Sequence, residues 1–412
     1  MLLALLLAAT LTFDFPAVHI GIAEYESGPT GATVFHFPKP VMVAVDVRGG
    51  SPASINTDTL RLTYDEPYID AITFAGGSSY GLSVATGVAA ELKDRSANAG
   101  DWTNIPTVTG AIIFDLGVRR FNTVVPDSDL GRGALRNAKS NVFELGARGA
   151  GRFAMQSGYF GDAARTYSGQ GAAFRQLGNV KVVVFTVVNS LGSIVDRNGT
   201  IVRCTSAPCG RIVERLEAAA GRIQRAAETQ PTENTTLTLV LTNQKLPVWA
   251  LQRLAVQVHT SMARAIQPFH TTRDGDILFA ATTGEVENDL AVEDLGVIAS
   301  EVAWDAVLSS VPQLDPADTR PVIELDAAAL DRLTGRYEFA PGATATVTRE
   351  GSRLFIETTK NSIYFPDKKR VALDAVSRTE FRARNVRITF DANGLTLNPG
   401  HWPVRAKRLS AS

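Results

Sequence analysis

Residues 228–247 read "ETQPTENTTLTLVLTNQKLP". A polar run ends at Asn234, and "TLTLVLT" (236–242) follows, an apolar and β-branched run that predicts a buried strand. The junction Asn234-Thr235-Thr236 admits three readings. It is an ordinary passage from loop to strand. It fits the Asn-x-Ser/Thr glycosylation pattern, which is short and matches often by chance. Or the chain is cut before Thr235, and the new terminus works as a nucleophile. The third reading has a chemical logic. A threonine hydroxyl attacks poorly unless a base takes its proton. At a chain terminus its own α-amine, titrating at about pH 7.7–8.0, is that base. The same hydroxyl can make the cut by attacking the preceding carbonyl, giving an ester that water opens. A polar segment before the bond and a strand after it would leave the new terminus at a rigid strand end.

Working outward, "VMVAVDV" (41–47), "VKVVVFTVV" (180–188) and "DILFAATTG" (276–284) predict further buried strands. "GRIVERLEAAAGRIQRAAE" (210–228) predicts an amphipathic helix. "VWALQRLAVQVHTSMARAI" (248–266) predicts another, with Leu251, Leu254, Val258, Met262 and Ile266 on one stripe. Strands mixed with helices predict layers of sheet and helix, an α/β fold. "VPQLDPADTRPVIELD" (311–326) is rich in Pro and Asp and reads as a linker, so the first domain is set at 13–314 and the connecting segment at 315–326. Past it, "TATVTREGSRLFIET" and "VRITFDANGLTLN" are strand–turn–strand units. Residues 327–412 therefore predict a small all-β domain. It resembles the β-barrel appendages that follow the catalytic domains of some secreted β-lactamase-like serine hydrolases. The opening "MLLALLLAATLT" (1–12) is too short for a bilayer, which takes about 20 residues. It reads as the remnant of a signal peptide without its basic flank, or as a buried first strand.

The 412 residues are 45% hydrophobic and 20% charged with a net charge of −1, a globular composition with no field for nucleic acid or an anionic membrane. The two cysteines, Cys204 and Cys209, are too few for a zinc site, and leave a small disulfide loop or two thiols open. None of the five histidines stands in HxxxH or HExxH spacing, and His259 reads as a structural histidine. No metal or cofactor is expected. "AITFAGGSSYGLSVATGVAAEL" (71–92) reads strand, glycine-rich turn, helix. Gly77-Ser78-Ser79-Tyr80-Gly81 matches the G-x-S-x-G elbow of serine hydrolases, with Ser79 as nucleophile. The same glycines could instead let a helix start hold an anion or a carbonyl. In "RDGDILFA", Asp274 and Asp276 stand at i and i+2, on one side of an extended chain, where they could orient the ammonium and hydroxyl of Thr235; the plain alternative is an Asp-Gly-Asp turn.

Taken with "FDFPAVHIGIAEYESGPTGATVFH", "RGGS", "AGGSSYGL", "GQGAAFRQLG", "NTTLTLVLTNQ", "QVHTSMARAIQPFHT", "DGDILFAATT" and "IASEVAWDAVL", these residues resemble a known family over about 13–308. It is that of the self-cleaving N-terminal-nucleophile amidases of peptidase family S58. Its members include DmpA-type aminopeptidases, β-peptidyl aminopeptidases and endo-type nylon-oligomer (6-aminohexanoate-oligomer) hydrolases, the likeness being greatest to the last. The resemblance implies an αββα sandwich, with Thr235 as nucleophile freed by cleavage after Asn234. It implies Asp274 and Asp276 as the acidic pair, and Asn189 in "FTVVNSLG" close to the nucleophile, its amide available to an oxyanion. Two positions depart from the family: Phe114 stands where a tyrosine is found, and Tyr159 where a lysine is found. Arg165 is the nearest cation, and a guanidinium does not shuttle protons near neutral pH. Gly76, Gly77 and Ser78 would shape the site floor. The implied partners are small peptide or oligoamide substrates and other copies of the chain, as a homo-oligomer of processed heterodimers, with no nucleic acid and no stable membrane span. Two rivals stand beside this reading: a serine esterase using Ser79, and a non-catalytic secreted binding protein. A signal remnant places the protein in the periplasm or outside the cell; without one it is cytoplasmic.

Overall fold

Val182, Val184 and Val188 of "VKVVVFTVV" face one way and Val183, Phe185 and Val187 the other, and both sets are buried. A strand apolar on both faces has to be covered on both, and the computed structural model shows with what. It describes residues 9–62, 67–96, 105–117, 120, 123–161, 164–205, 208–219, 234–287, 289–314, 318–360, 362, 364–365, 370–383, 386–398 and 402–410. They form two compact units. One comprises 1–24, 30–115 and 125–312; the other comprises 313–412 with the short segments 25–29 and 116–124.

The main strands of the first unit are β1 (Thr30–Val47), β2 (Tyr68–Ala75), β3 (Val108–Ile112), β4 (Gln170–Leu177), β5 (Val180–Asn189), β6 (Thr235–Gln244) and β7 (Ile277–Val286). They lie in the order β4-β5-β6-β7-β1-β2-β3, with the β6–β7 and β2–β3 pairs parallel and the others antiparallel. β1 belongs to both halves of this sheet. Met42–Val47 pair with β7, Ala32–His36 pair with β2, and the register slips between His36 and Val41. The two halves face each other across a core rich in phenylalanine: Phe35, Phe74, Phe143, Phe185 and Phe279, with Leu237, Leu239 and Leu241. Rings of Phe143 and Phe185 stand 5.0 Å apart, and those of Phe35 and Phe185 5.1 Å. Truncating one such ring to alanine costs about 3–5 kcal/mol. The outer faces take helices. Val182, Val184, Val240, Leu278 and Ala280 pack with α3 (Val248–Ser261) and α4 (Val292–Ser309), and Val34, Ala71 and Val108 with α1 (Ser83–Arg95) and α2 (Ser128–Arg136). This is the αββα sandwich.

Several elements differ in extent from the sequence expectation. The strand expected at 41–47 begins at Thr30, because Pro38 and Pro40 sit in the exposed bulge of one long strand and do not end it. The helix expected at 248–266 stops at Ser261, tightens to a 3₁₀ turn over Met262–Arg264 and gives way to a strand at Ile266–Gln267. The helix expected at 210–228 is seen at Ile212–Ala219; 220–233 lie outside the described residues. So do 1–8 of the segment read as a leader, while Thr10–Thr12 pair with Val142–Glu144. Cys204 and Cys209 are joined as a disulfide. No helix among the described residues is long and apolar enough to cross a membrane.

The second unit is built round a closed antiparallel barrel of eight strands: β8 (Gly335–Ala340), β9 (Ala343–Glu350), β10 (Arg353–Thr358), β11 (Val371–Ala375), β12 (Glu380–Ala383), β13 (Val386–Phe390), β14 (Gly394–Leu397) and β15 (Val404–Arg408), with β8 pairing β15 to close it. Alternate residues fill the interior, among them Ala345, Val347, Leu354, Ile356, Phe381, Ile388 and Phe390. Closure leaves no free sheet edge.

Candidate active site

Three strand ends meet at one end of the sandwich. Asn189, the last residue of β5, stands opposite Thr235, the first of β6, and Asp274 and Asp276 lead into β7 on the other side of β6. Thr235 is two residues before Leu237, so its side chain falls on the inter-sheet face of the strand. Both residues of the junction are buried, Asn234 completely. The Thr235 hydroxyl donates to the Asn234 carbonyl oxygen at 2.6 Å. The same oxygen accepts from the Gly275 N–H at 2.6 Å, and the Asn234 N–H donates to the Arg273 carbonyl. The bond before Thr235 is therefore held from both sides, its hydroxyl against its carbonyl. Gly275 can only be glycine there: a Cβ would stand 2.7 Å from Thr235 Oγ1 and 2.6 Å from the Ser51 carbonyl oxygen.

The two acids are buried and each is gripped by different donors. Asp274 Oδ1 accepts from Leu191 N–H, and Oδ2 accepts from the N–H and hydroxyl of Thr271. Asp276 Oδ1 accepts from Thr236 N–H at 2.7 Å, and Oδ2 accepts from His270 N–H at 3.1 Å with His270 Nδ1 at 3.0 Å. To deliver both nitrogens to one oxygen, His270 takes a left-handed backbone, φ 56°. Among the described residues no hydrogen bond joins either carboxylate to Thr235 itself; Asp276 fixes the next peptide instead. Burial, helped by the charge of Asp276, lifts the Asp274 pKa to about 6. Behind His270 the His259 ring lies with its centroid 4.3 Å away, Nδ1 2.8 Å from Asp46 Oδ2. Burial lowers the His259 pKa, so it serves as a neutral structural group.

Asn189 spans the site floor. Its Oδ1 accepts from Met155 N–H and its Nδ2 donates to the Phe114 carbonyl, both at 3.1 Å. Phe114 thus enters through its backbone, with its ring position half-buried. Tyr159 is half-buried too; its N–H donates to the Leu191 carbonyl and its ring meets Phe160 edge-on. A buried cation, Arg165, reaches the junction, its Nη1 donating to Asn234 Oδ1 at 3.1 Å. Sequence reasoning missed the Gly275 N–H, the His270 and Thr271 grips and the Arg165 contact. The glycine between two acids was the one visible signal.

The glycine-rich turn is fastened to the residues on either side of Phe114. Gly77 N–H and the Thr30 hydroxyl donate to the carboxylate of buried Asp115 at 2.8 and 2.6 Å, and Ser78 N–H donates to the Ile113 carbonyl. Gly76 approaches so closely that a Cβ would come within 2.4 Å of Asp115 Oδ2. The anion at this turn is the protein's own. Ser79 is exposed, in the 3₁₀ turn Ser78–Leu82, with no hydrogen bond to a histidine among the described residues.

The model of peptidase family S58 matches residues 11–332, and a model described as a domain of unknown function matches 319–396. The chain is 41% identical over 316 residues to a 6-aminohexanoate-oligomer endohydrolase of Paenarthrobacter ureafaciens, covering 73% of this chain and 85% of that protein. It is 35% identical over 310 residues to an uncharacterized aminopeptidase of Mycobacterium bovis, covering 74% and 83%. Among solved structures, the L-aminopeptidase D-Ala-esterase/amidase of Ochrobactrum anthropi, described as a variant of the Ntn hydrolase fold, superposes with a TM-score of 0.54 at 16% identity, covering 74% of this chain and 87% of that one. A Burkholderia β-aminopeptidase superposes with 0.53 at 18%, covering 74% and 88%. These two share the fold; the matched family model and the 41% identity reach further, and by them the chain belongs to peptidase family S58.

Proposed function

We propose that the chain cuts itself between Asn234 and Thr235, and that the Thr235 so freed is the nucleophile of a hydrolase of linear amides. One observation carries this reading: the Thr235 hydroxyl and the Gly275 N–H converge on the oxygen of the bond to be cut. In the first step Thr235 Oγ1 attacks the Asn234 carbonyl carbon, and Gly275 N–H stabilises the charge that develops on its oxygen. The C–N bond breaks, the hydroxyl proton ends on the departing nitrogen, and an ester links Asn234 to Thr235. Water opens the ester, leaving Asn234 as a carboxylate and Thr235 as a free terminus. In turnover the new α-amine takes the Oγ1 proton, Oγ1 attacks the substrate carbonyl, and the proton passes to the leaving amine. Water then hydrolyses the acyl ester. Asp274 fixes the loops beside the nucleophile through Leu191 N–H and Thr271, and Asp276 holds the strand end through Thr236 N–H. Asn189 braces the floor beneath the nucleophile.

The substrates are small peptides or oligoamides, a class supported by the names of the relatives, an oligoamide endohydrolase and an aminopeptidase. The processed pairs assemble as a homo-oligomer, and residues 327–412 form an accessory module without catalytic groups. The Cys204–Cys209 disulfide supports a place outside the cytoplasm. The test is the intact mass of the purified protein with a panel of amides. Two fragments, one ending at Asn234 and one beginning at Thr235, are expected together with hydrolysis. An active chain that stays in one piece overturns the proposal.

A further inference from the structure

Self-cleavage and turnover would use one nucleophile. The residue joined to the scissile carbonyl of the uncut chain therefore stands where the acyl half of a substrate comes to stand. That residue is Asn234, and besides the Thr235 hydroxyl it meets Arg273, Gly275 and Arg165. Its N–H donates to the Arg273 carbonyl at 3.0 Å, and its carbonyl accepts from Gly275 N–H at 2.6 Å. Its side-chain Oδ1 accepts from Arg165 Nη1 at 3.1 Å. Arg165 is 5% exposed, an unusual depth for a guanidinium. Its flat face rests on Gly158, where a Cβ would come within 2.5 Å of the Arg165 Cζ. Bare backbone at that point lets the guanidinium lie where it does.

We propose that Arg165 is the specificity-determining residue of the acyl subsite, and that the preferred substrates are L-asparaginyl and L-aspartyl amides. This rests on the reading of Thr235 as nucleophile. The three contacts amount to a description of the acyl group: an α-nitrogen that donates to Arg273, a carbonyl that accepts from Gly275, and a short side chain ending in an acceptor. A guanidinium keeps its charge and offers donors alone. Buried, it favours an amide oxygen or a carboxylate and leaves an alanyl group's methyl with nothing to offer it. A lysyl or aminohexanoyl group brings an ammonium or a run of methylenes to the same place. A site built to hydrogen-bond one group rejects analogues that lack it more strongly than an apolar site rejects a missing methylene.

The test measures kcat/KM of the purified, processed protein on the p-nitroanilides of L-asparagine, L-aspartate, L-alanine and 6-aminohexanoate. The asparaginyl and aspartyl substrates are expected to exceed both others by about tenfold or more. In Arg165→Met the asparaginyl-to-alanyl ratio is expected to fall toward one, with Arg165→Lys between the two. A parent with no preference for the acceptor-bearing pair overturns the inference. So does an Arg165→Met or Arg165→Lys variant that slows every substrate by one factor, which would make the residue structural. The parent panel needs no variant, so a variant that fails to fold leaves the first criterion in force. A two-fragment protein that cleaves none of the four overturns this inference, and the wider amide panel then decides the proposed function by itself. One that cleaves the alanyl substrate as readily as the others overturns the inference alone.

Discussion

Two turns in the sandwich unit each bring a hydroxyl, a glycine and a carboxylate together at a strand end, and they are put to different use. At Gly76–Ser79 the Asp115 carboxylate takes its bonds from Gly77 and Thr30, and the serine of the motif is exposed. The carboxylate serves to fasten the turn to the sheet. At the Asn234–Thr235 junction the hydroxyl is buried against a carbonyl, a glycine N–H meets the same oxygen, and the nearest acids are fastened to neighbouring backbone, not to the hydroxyl. A nucleophile is told by the electrophile its oxygen faces and the donor behind that electrophile, more than by the letters around it.

That contrast can be broken most directly at the two hydroxyls. Thr235→Ala is expected to stay uncut and to lose several orders of magnitude in rate, as removal of a nucleophile does, while Thr235→Ser keeps part of both functions. Ser79→Ala is expected to process and turn over within about twofold of the parent, since exposed substitutions are mild. Intact mass and initial rates decide, and the reverse pattern would hand the site to the glycine-rich turn. Next in size is Gly275→Ala. Its methyl would collide with Thr235 Oγ1 and the Ser51 carbonyl and push the N–H off the Asn234 oxygen, and a displaced oxyanion donor costs up to about 10²–10³ in rate. A gel time course of cleavage reads this; alanine keeps the backbone N–H, so cleavage at the parent rate would mean that the turn absorbs the methyl without moving that donor.

A smaller effect is expected from pH. Asp274 holds Leu191 and Thr271 fully only as an ionised acceptor, and its pKa stands at about 6. Self-cleavage should therefore rise with pH and level off above that value, running at pH 5 about tenfold below the plateau. In Asp274→Asn this limb should vanish along with most of the rate; a profile flat from pH 5 to 7 in the parent would count against a need for the ionised carboxylate. Asp115→Ala sharpens the comparison from the other side. It leaves the buried donors of Gly77 and Thr30 unanswered, an expected loss of about 1–3 kcal/mol in urea unfolding, with cleavage unchanged once folded. Least of all should follow from removing 315–412, because every group round Thr235 belongs to the sandwich unit. A folded truncation product that no longer cuts itself would give the tail a part in the site.

Much of the layered fold was legible because β5, β6 and β7 are β-branched runs whose alternate residues form two apolar sets, one for each face. β1 was read short because "FPKPV" looks like a stop, whereas its prolines ride on a bulge. Thr235, with Asp274 and Asp276, could be picked out from chemistry and spacing; Asn189 came from the resemblance, and the structure brings all four to adjoining strand ends. What stayed hidden is what a sequence does not spell. The Gly275 donor is backbone and has no letter. Arg165 meets Asn234 across a gap of 69 residues. The left-handed turn at His270 falls on a residue that nothing in its neighbouring sequence marks as a turn.

The strand order has a consequence for how the protein lasts. In β4-β5-β6-β7-β1, strands β6 and β7 come after the proposed cut and both their neighbours, β5 and β1, come before it. The later fragment is thus laced into the middle of a sheet made by the earlier one. The Cys204–Cys209 disulfide lies wholly before the cut and tethers nothing across it. If the proposed cut is made, the sandwich becomes one folded body made of two molecules. Unfolding releases them to diffuse, so reassembly depends on concentration while the uncut chain refolds at any dilution. Self-cleavage would then convert an equilibrium fold into one that endures only as long as its unfolding barrier holds.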